Sequence, residues 1–361
     1  MTLVLSNEDV EAAFTMEDCL SALEETYRHV AEGQALTGRR SDVMTPTEPY
    51  QGEEASYLLK IMNGADAKLG IAALRLTSEI MIWPEISGVR RRTKAPRAPN
   101  DRWVGLVMLF STTTGEPLAI FPDGVMQKMR VAATSALSAK FIAREDAEIV
   151  ALIGAGWQAG AHALALSKVR ALKEIRVFSP TKKRRETFCK ELQEEIGVTM
   201  SPVDSPEAAV QGADIVQCAT SAMENVYFKD WMQPGVHVAT IRDGELEPAM
   251  IDAADVLVIH DPANMGHAHF QAIGGARNKD HDNETAGREG RDDWTSAPSL
   301  ADIISGKKTG RENDNQTSCF LNYRGFGVQF AAAGAAFYHK AKEMKLGHDL
   351  PTDWFTEDVL P

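Results

Sequence analysis

The chain has 361 residues, which favours two domains, and its 44% hydrophobic and 25% charged residues are an ordinary globular composition that argues against general disorder. A formal net charge of −13 argues against a nucleic-acid partner, and the absence of a run of about 18 apolar residues argues against a membrane span. The amino-terminal residues lack the basic start and apolar centre of a secretory signal. Four scattered cysteines without a CxxC pair are typical of free thiols, so we expect a cytoplasmic protein.

The first 125 residues are expected to form α+β structure dominated by antiparallel strand pairs. Two capping boxes, at residues 6–9 and 15–18, each place a hydroxyl before a predicted helix and a carboxylate three residues later. An apolar stripe with helical spacing carries the second helix to about Gly33. We then expect a loop-rich stretch over 34–56, strands over 57–82 with breaks at Gly64 and Gly70, and a hairpin of 104–110 with 118–121.

A basic run lies next to this hairpin, in a segment that contains prolines. It consists of five cations, Arg90, Arg91, Arg92, Lys94 and Arg97. A solvated loop is one interpretation, and an oligomer contact or the rim of an anionic-ligand site is the other.

From residue 126 onward the pattern changes to an alternation of apolar strands and helices. An alanine-rich helix is expected over 126–144, and six strands separated by crossovers then predict a doubly wound, mostly parallel sheet. The predicted strands are 148–154, 174–179, 198–203, 213–220, 236–241 and 255–260. Residues 261–318 are polar and weakly patterned. A late apolar helix over 325–343 does not extend the alternation, so we expect it to pack on the first region.

The first of these strands runs directly into a glycine-rich turn of the GxGxxG/A type, followed by a helix. Gly154 permits the tight turn, Gly156 lets the backbone approach a pyrophosphate, and Ala159 keeps the helix close to the strand. The helix amino terminus favours an anion, so the turn predicts a dinucleotide site. The expected cofactor contacts here are Gly154, Ala155, Gly156, Trp157, Gln158 and Ala159. For Trp157, flanking the cofactor and simple packing remain open.

The end of the second strand indicates which dinucleotide binds. NAD-binding proteins normally carry an acidic residue there for the ribose 2′-hydroxyl. Here the sequence has hydroxyls and cations instead, with Ser179, Thr181 and Lys182 as the expected contacts, and these suit a 2′-phosphate. The sequence therefore favours NADP(H) over NAD. The alternative is that residues 182–185 only solvate a helix start, although cations there oppose the helix dipole.

Five stretches together resemble the ornithine cyclodeaminase/mu-crystallin family over nearly the whole chain. They are TTTGEPLAIF, MRVAATSALSAKFIARED, IGAGWQAG, GADIVQCATS and GFGVQFAAAGAAF. The resemblance implies a substrate-binding and dimerisation domain from both chain ends, residues 1–125 and 321–361, around an NAD(P)-binding Rossmann domain over 126–320. It also implies a homodimer. Family members include cyclodeaminases, ketimine or imine reductases, amino-acid dehydrogenases and a hormone-binding crystallin.

The resemblance also assigns roles to residues at matching positions. Arg130, in MRVAATS, looks like the family arginine that grips the substrate carboxylate, with a structural ion pair as the alternative. Arg40 resembles a second carboxylate-binding arginine, although Arg39 competes for that place and an exposed loop arginine is the alternative. Thr220 and Ser221, at the end of GADIVQCATS, are further expected cofactor contacts.

Two residues are expected to act in catalysis. Asp243 resembles the family aspartate beyond the fifth Rossmann strand, where a carboxylate can move a proton at the substrate nitrogen, and a turn-forming aspartate is the alternative. Arg75 stands where the family generally has a lysine, and an arginine binds a carboxylate well but sheds a proton poorly. The long segment 79–103 also departs from the family and is expected to reshape the substrate rim or a subunit contact.

The leading hypothesis is an NADP(H)-dependent oxidoreductase that reduces a small imino or ketimine acid, or runs the reverse amino-acid dehydrogenation. A cyclodeaminase-like lyase with retained NAD and a non-catalytic, crystallin-like binding protein are the alternatives. No metal is expected, because the spacing of the late histidines fits no standard zinc pattern. The candidate ligands for such a site are His260, His267, His269 and His281, with Asp261.

Overall fold

The computed structural model describes residues 1–86, 88–262, 269–273, 294, 296–323 and 325–359. The fold is mixed α/β and contains a Rossmann-type parallel sheet, as predicted. In chain order the described strands are β1 (Thr2–Val4), β2 (Ala35–Thr37), β3 (Ser41–Tyr50), β4 (Glu53–Asp66), β5 (Ile71–Ile82), β6 (Glu85–Ile86), β7 (Val89–Arg90), β8 (Thr93–Ala95), β9 (Val104–Ser111), β10 (Pro117–Pro122), β11 (Ile149–Ile153), β12 (Glu174–Phe178), β13 (Thr199–Pro202), β14 (Ile215–Cys218), β15 (His237–Thr240), β16 (Val256–Ile259), β17 (His269–Ala272), β18 (Ser318–Leu321) and β19 (His348–Leu350).

The described α-helices connect and cover these strands. They are α1 (Asn7–Ala13), α2 (Met16–Ala31), α3 (Gly124–Ile142), α4 (Trp157–Ser167), α5 (Lys182–Ile196), α6 (Pro206–Val210), α7 (Pro248–Ala253), α8 (Leu300–Ile304) and α9 (Val328–Glu343). Short 3-10 helices cover Lys229–Trp231 and Thr352–Phe355. Both predicted capping boxes are present at the starts of α1 and α2. Within the described residues, every helix is too short or too polar to serve as a membrane span.

The first sheet has ten strands in the order β17-β3-β4-β5-β9-β10-β1-β19, with β2 beside β4 and β8 beside β5. Its pairs are antiparallel except β1 with β10 and β17 with β3, and the predicted β9–β10 hairpin is confirmed. The prediction of a loop-rich stretch over 34–56 is wrong, because β2, β3 and the start of β4 lie there. The β3 sequence is polar and contains Pro46 and Pro49, which obscure its alternation.

A glycine that we predicted as a break lies inside a strand. Gly64 pairs with Ala73 within the β4–β5 ladder. A Cβ at Gly64 would lie 2.3 Å from the backbone nitrogen of Val328, at the start of α9. The glycine therefore allows α9 to approach the sheet closely, and the late helix packs on the first sheet as predicted.

The second sheet has seven strands, all parallel, in the order β13-β12-β11-β14-β15-β18-β16. All six predicted strands are present. One further strand, β18, has four residues, enters the sheet between β15 and β16, and is not predicted from the sequence. It follows a polar segment and is too short to show a periodicity of its own.

Helix α3 connects the two sheets and is buried along most of its length. It contacts α2 and α9 on one side and α4, β15 and β18 on the other. The largest hydrophobic cluster is accordingly continuous, with residues such as Leu23, Leu109 and Leu152 in one core.

Candidate functional site

The glycine-rich turn follows β11 and has the geometry that a dinucleotide site requires. Gly154 has φ +126°, and a Cβ there would lie 2.3 Å from the carbonyl oxygen of Ala219, so glycine is required. Gly156 is the N-cap of α4 and supplies no side-chain cap. The first N–H groups of α4 therefore face the turn without a side-chain acceptor from the N-cap, as an anion site needs. Trp157 is 52% exposed at the first position of the helix, and the ammonium of Lys128 lies 5.8 Å from its ring centroid.

Arg184, in the first turn of α5, reaches this glycine-rich turn from the segment that follows β12. Its Nε donates to the carbonyl oxygen of Ala155 at 3.0 Å, and its Nη2 lies 3.9 Å from the position of a Cβ on Gly156. Lys182, the cation we expected here, has a side chain that is 71% exposed and pairs loosely with Glu186. The signal that could have identified Arg184 is the run of cations at a helix start, where they oppose the dipole unless an anion binds.

The other expected contacts at this strand end lie close to the turn. Ser179 is buried, and its carbonyl oxygen accepts a hydrogen bond from Arg185 Nη1 at 3.0 Å. Thr181 is the N-cap of α5, and its side chain makes no cap hydrogen bond. Arg185 also pairs with Asp204, so it is engaged in holding the loop.

A buried carboxylate that sequence reasoning missed organises the loops after β14 and β15. Oε1 of Glu245 accepts hydrogen bonds from the Thr220 backbone N–H and hydroxyl, both at 2.7 Å, and Oε2 accepts from the Thr240 hydroxyl at 2.7 Å. Burial raises the pKa of Glu245 above its usual range, against the effect of these hydrogen bonds. Thr220 is thereby fixed at the carboxyl edge of the sheet, and Ser221 follows it half-buried. In the sequence, the signal for this arrangement is limited to two threonine hydroxyls, that of Thr220 just after β14 and that of Thr240 at the end of β15.

Arg75 and Arg130 converge on one aromatic ring in the first sheet region. The guanidinium carbon of Arg75 lies 5.6 Å from the Phe330 ring centroid, and that of Arg130 lies 4.9 Å from it. Nε and Nη2 of Arg75 donate to Asp123 Oδ2 at 2.9 and 2.7 Å, and Nη2 also contacts Gln127. Arg75 is therefore held by a carboxylate just before α3.

Arg130 has a different environment, because its hydrogen-bond partner is a neutral amide. Its Nη1 donates to Gln329 Oε1 at 2.9 Å. Burial, and then the charge of Arg75, lower the pKa of Arg130 to about 10. Several buried side-chain atoms of the described residues have no hydrogen-bond partner, and three of them belong to this region, namely Arg130 Nε, Asp123 Oδ1 and Thr77 Oγ1. Such atoms are rare in protein cores, and a polar ligand or a water molecule would satisfy them.

A polar network connects Arg130 to the carboxyl edge of the parallel sheet. Gln329 Nε2 donates to the Tyr27 hydroxyl at 2.8 Å, and that hydroxyl lies 2.9 Å from Nε2 of His260, just beyond β16. Burial lowers the pKa of His260 to about 3, so the ring is neutral. The network joins four elements, α2, α3, α9 and the end of β16, which no local sequence pattern predicts.

Asp243 and Arg40, the two remaining predicted site residues, lie in different parts of the fold. Asp243 is half-buried in the turn after β15, beyond the carboxyl end of that strand. Its neighbour Arg242 donates to the Ala222 carbonyl at 2.6 Å. Arg40 precedes β3, and its Nε donates to Asp42 Oδ1 at 2.7 Å.

The segment 79–103 forms a bridge between the two sheet regions. The backbone of Arg91 pairs with that of Ala222, in the loop after β14. Met223, in the same loop, packs against a hydrophobic cluster of the first sheet that contains Met44, Leu58, Met81 and Trp83. The loop after β14 thus lies against the sheet face that carries Arg75.

The histidines considered as metal ligands are only partly described. His267 and His281 lie outside the described residues. Within the described part of the chain, no group of three or more His, Cys, Asp or Glu side chains is placed to hold a metal ion. The four cysteines are buried free thiols.

Comparison with known proteins gives a consistent picture. The family described as the ornithine cyclodeaminase/mu-crystallin family matches residues 1–345. An uncharacterized cyclodeaminase of Sinorhizobium fredii is 31% identical over 252 residues, which are 67% of this chain and 72% of the relative. The delta(1)-pyrroline-2-carboxylate reductase of Bacillus cereus is 30% identical over 247 residues, 68% of this chain and 74% of the relative. The solved structure of Thermococcus litoralis delta(1)-pyrroline-2-carboxylate reductase, with NADH and L-proline, has a TM-score of 0.78 at 23% identity and covers 97% of this chain and 100% of that one.

Proposed function

The chain belongs to the ornithine cyclodeaminase/mu-crystallin family, and we propose that it is an NADP(H)-dependent oxidoreductase that reduces a small imino or ketimine acid to an amino acid, or runs the reverse dehydrogenation. The observation that carries this proposal is the environment of Arg130. It is a buried cation with an unsatisfied Nε and a neutral partner, joined through Gln329, Tyr27 and His260 to the carboxyl edge of the sheet that carries the glycine turn. Doubly wound sheets bind their ligands at that edge.

The arginines fix the orientation of the substrate. Arg130 binds the carboxylate through its free guanidinium edge, and Arg75, which is held by Asp123 and contacts the same Phe330 ring, supports the same negative charge. Arg40 provides a further cation on the β3 side of the site. The bound nicotinamide supplies or accepts the hydride at the substrate α-carbon. Fixing that carbon at one place contributes to the rate by orientation.

Asp243 carries the proton at the substrate nitrogen. Support for this role is its position beyond the carboxyl end of β15, on the loop that follows the strand next to Thr220. A carboxylate there can hold the imine nitrogen protonated before hydride transfer. The bridge between Arg91 and Ala222 closes one side of the cleft and limits the access of water.

The cofactor is proposed to be NADP(H), with NAD the weaker alternative. The residues that fit its phosphates are the α4 amino terminus at Gly156 and, for the 2′-phosphate, Arg184 together with Ser179, Thr181 and Lys182. The support is chemical, since this strand end has cations and hydroxyls where an NAD-specific site would carry a carboxylate.

We also propose a homodimer in a reducing cytoplasm. One face of the first sheet is covered by α9. The opposite face carries half-buried apolar side chains, which include Leu59, Leu74, Leu76, Met108 and Phe110. An apolar sheet face of this extent fits a subunit interface. The buried free thiols fit a reducing compartment.

The experiment that tests the function is a screen of NADPH oxidation, followed by its absorbance, over cyclic imines and over 2-oxo acids mixed with ammonia or methylamine. Turnover of at least one imino acid with a preference for NADPH over NADH is expected, and Asp243→Asn should lower kcat at least tenfold. Ammonia release from a diamino acid without net NADPH consumption would instead identify a cyclodeaminase. Tight binding of imino acids without any turnover would identify a crystallin-like binding protein.

A further inference from the structure

A second charged cluster lies on the same sheet face as Arg75, further along β4 and β5. Lys60 pairs with Thr77 across the two strands, so their side chains share a face with Arg75 and Glu79. Lys60, Thr77 and Glu79 are all less than 9% exposed. The proposed carboxylate-binding arginines account for none of these three groups.

The carboxylate in this cluster is shared between two ammonium groups. Glu79 Oε2 accepts from Lys60 Nζ at 2.9 Å, and Glu79 Oε1 lies 2.6 Å from Lys94 Nζ. Burial lowers the pKa of Lys60 to about 7, and the effect of the nearby Arg92 exceeds the opposing effect of Glu79. Arg40 acts in the same direction as Arg92. Three cations, Arg92, Arg40 and Lys94, thus act on Lys60 against the carboxylate of Glu79, and an additional anion would stabilise its ammonium form.

Thr77 supplies an independent observation. It is 2% exposed, and its Oγ1 has no hydrogen-bond partner among the described residues. A buried hydroxyl without a partner is costly unless a ligand satisfies it. Thr77 stands between Arg75 and Glu79 along β5, directly opposite Lys60.

The cluster lies between two contacts that cross the sheet face. On one side, the turn at Gly325 covers Met62. A Cβ on Gly325 would lie 2.9 Å from Met62 Sδ and 3.4 Å from Arg130 Nη1. On the other side, Met223 packs on the cluster that contains Leu58. Lys60 lies between Leu58 and Met62 on the same face of β4. Lys60 thus lies between the Arg130 site and the loop after β14.

We propose that Lys60 Nζ and Thr77 Oγ1 bind a second carboxylate, on the side chain of the substrate, and that the substrate is therefore a dicarboxylic imino acid. This inference rests on the proposed function, because it requires Arg130 and Arg75 to hold the α-carboxylate. A strand advances about 3.4 Å per residue, so Thr77 lies roughly 7 Å from Arg75 along β5. That separation suits the two acid groups of a four- or five-carbon dicarboxylic acid. Binding involves no covalent step: Lys60 donates as an ammonium and Thr77 donates its hydroxyl proton.

The kinetic test compares substrates of equal length that differ in the distal group. The pairs are oxaloacetate against 2-oxobutyrate and 2-oxoglutarate against 2-oxopentanoate, each with ammonia and NADPH. We expect kcat/KM at least tenfold higher for the dicarboxylic member of one pair. In Lys60→Met that ratio should fall about 10- to 100-fold, as expected for the loss of a charge-assisted hydrogen bond. A wild-type enzyme that favours the monocarboxylic members, or a ratio unchanged in Lys60→Met, overturns the proposal.

Two further variants separate recognition from folding. Lys60→Met leaves Glu79 paired with Lys94, but should that variant fail to fold, Thr77→Val carries the test. Because the Thr77 hydroxyl has no partner in the described structure, Thr77→Val should leave the free energy of unfolding unchanged or raise it, while the dicarboxylate preference falls several-fold. Lys68→Met removes a lysine that is 44% exposed and paired with Glu32, and it should leave the preference unchanged. A Thr77→Val variant that loses stability and keeps the preference contradicts the proposal.

A binding measurement distinguishes failure of this inference from failure of the proposed function. Calorimetric titration of the protein, saturated with NADP⁺, should show glutarate binding at least tenfold more tightly than pentanoate, and Lys60→Met should abolish the difference. Glutarate selectivity without any imine turnover supports the second carboxylate site and refutes the reductase. Imine turnover without glutarate selectivity supports the reductase and refutes the second site.

Discussion

Arg75 and Arg130 share the ring of Phe330 but differ in what balances their charge. Arg75 donates twice to the Asp123 carboxylate, whereas the Arg130 guanidinium donates to the amide oxygen of Gln329. The charge of Arg75 is also one cause of the lowered pKa of Arg130. Two buried cations near one ring are costly to desolvate, and a bound carboxylate would offset that cost. This arrangement supports the proposal that the two arginines bind a carboxylate.

The first prediction concerns Arg130. Arg130→Lys keeps the charge but loses the planar donor pair, so kcat/KM should fall about 100-fold, mainly through KM. Steady-state kinetics with the best imine from the screen measure this change. Arg28→Met, which alters an exposed arginine on α2, is the matched control and should remain close to wild type. A value of kcat/KM within threefold of wild type in Arg130→Lys would contradict the carboxylate role.

The second prediction concerns cofactor choice. Arg184→Ala should raise KM for NADPH about 10- to 100-fold and change KM for NADH much less. The substitution removes the guanidinium beside Ala155 and with it the proposed charge-assisted contact with the 2′-phosphate, which NADH lacks. Lys190→Ala, on an exposed position of the same helix, is the control. Equal effects on both cofactors would instead assign Arg184 to the shared pyrophosphate or to folding.

A third prediction tests the network behind Arg130. Tyr27→Phe removes the hydroxyl that contacts His260, Gln329 and Thr134. Because buried partners are left unsatisfied, the free energy of unfolding should fall by about 1 to 3 kcal/mol. KM for the imine should also rise, since Gln329 positions Arg130. Denaturant unfolding and kinetics measure the two effects, and a change in stability with an unchanged KM would restrict Tyr27 to a structural role.

The fourth prediction is a pH dependence of selectivity. Lys60 must be an ammonium to bind the distal carboxylate, and its pKa in the free protein is about 7. The groups that face it are Glu79 on β5, Lys94 on β8 and Arg92 before that strand, together with Asp42 on β3 and Arg40 just before β3. The preference for dicarboxylic substrates should be constant below pH about 6 and fall toward tenfold per pH unit above about 8.

The control for this profile is internal to the assay. The ratio of dicarboxylic to monocarboxylic kcat/KM at each pH cancels any ionisation that the two reactions share. In Lys60→Met the ratio should not vary with pH. A wild-type ratio that is flat from pH 6 to 9 would show that Lys60 does not bind the distal group.

The fifth prediction concerns acid stability. His237 is fully buried between Ser138 and Ser318, and burial lowers its pKa from 6.5 to about 3. The unfolded chain therefore binds the proton more tightly between pH about 6.5 and 3, so the free energy of unfolding falls as the pH falls through that window. At pH 5 the loss should be on the order of 2 kcal/mol per such histidine.

His237→Gln isolates this contribution. Between pH 7.5 and 5, the free energy of unfolding of this variant should fall by about 2 kcal/mol less than that of wild type. The exposed His348→Gln is the control and should keep the wild-type difference. Urea denaturation at both pH values measures all three proteins, and identical pH differences would contradict the assignment.

Local patterns were sufficient for much of this fold. The glycine turn, the capping boxes and six of the seven parallel strands each depend on neighbouring residues, so the sequence alone predicts them. The strand β3 and the inserted β18 depend on partners distant in the chain, and their own residues show little alternation. Gly64 was interpreted as a break because its reason, the approach of α9, is tertiary.

The site divides in the same way. Arg130 and the fingerprint residues stand in recognisable motifs, whereas Glu245 and Lys60 become significant only when distant segments pair. The sequence predicts that cations follow the second parallel strand, but it does not predict which of them reaches the glycine turn. The direction of α5 determines that Arg184 contacts Ala155 while Lys182 faces solvent.

The burial of α3 in both halves of the molecule has a consequence for how the protein denatures. Val131 and Leu137 are at most 9% exposed, and the helix touches α2 and α9 in one half and β15 and β18 in the other. Neither half can lose its packing without uncovering a flank of this shared helix. Heating should therefore give a single calorimetric peak for both halves, and NADP⁺ or a dicarboxylate should shift that whole peak upward together.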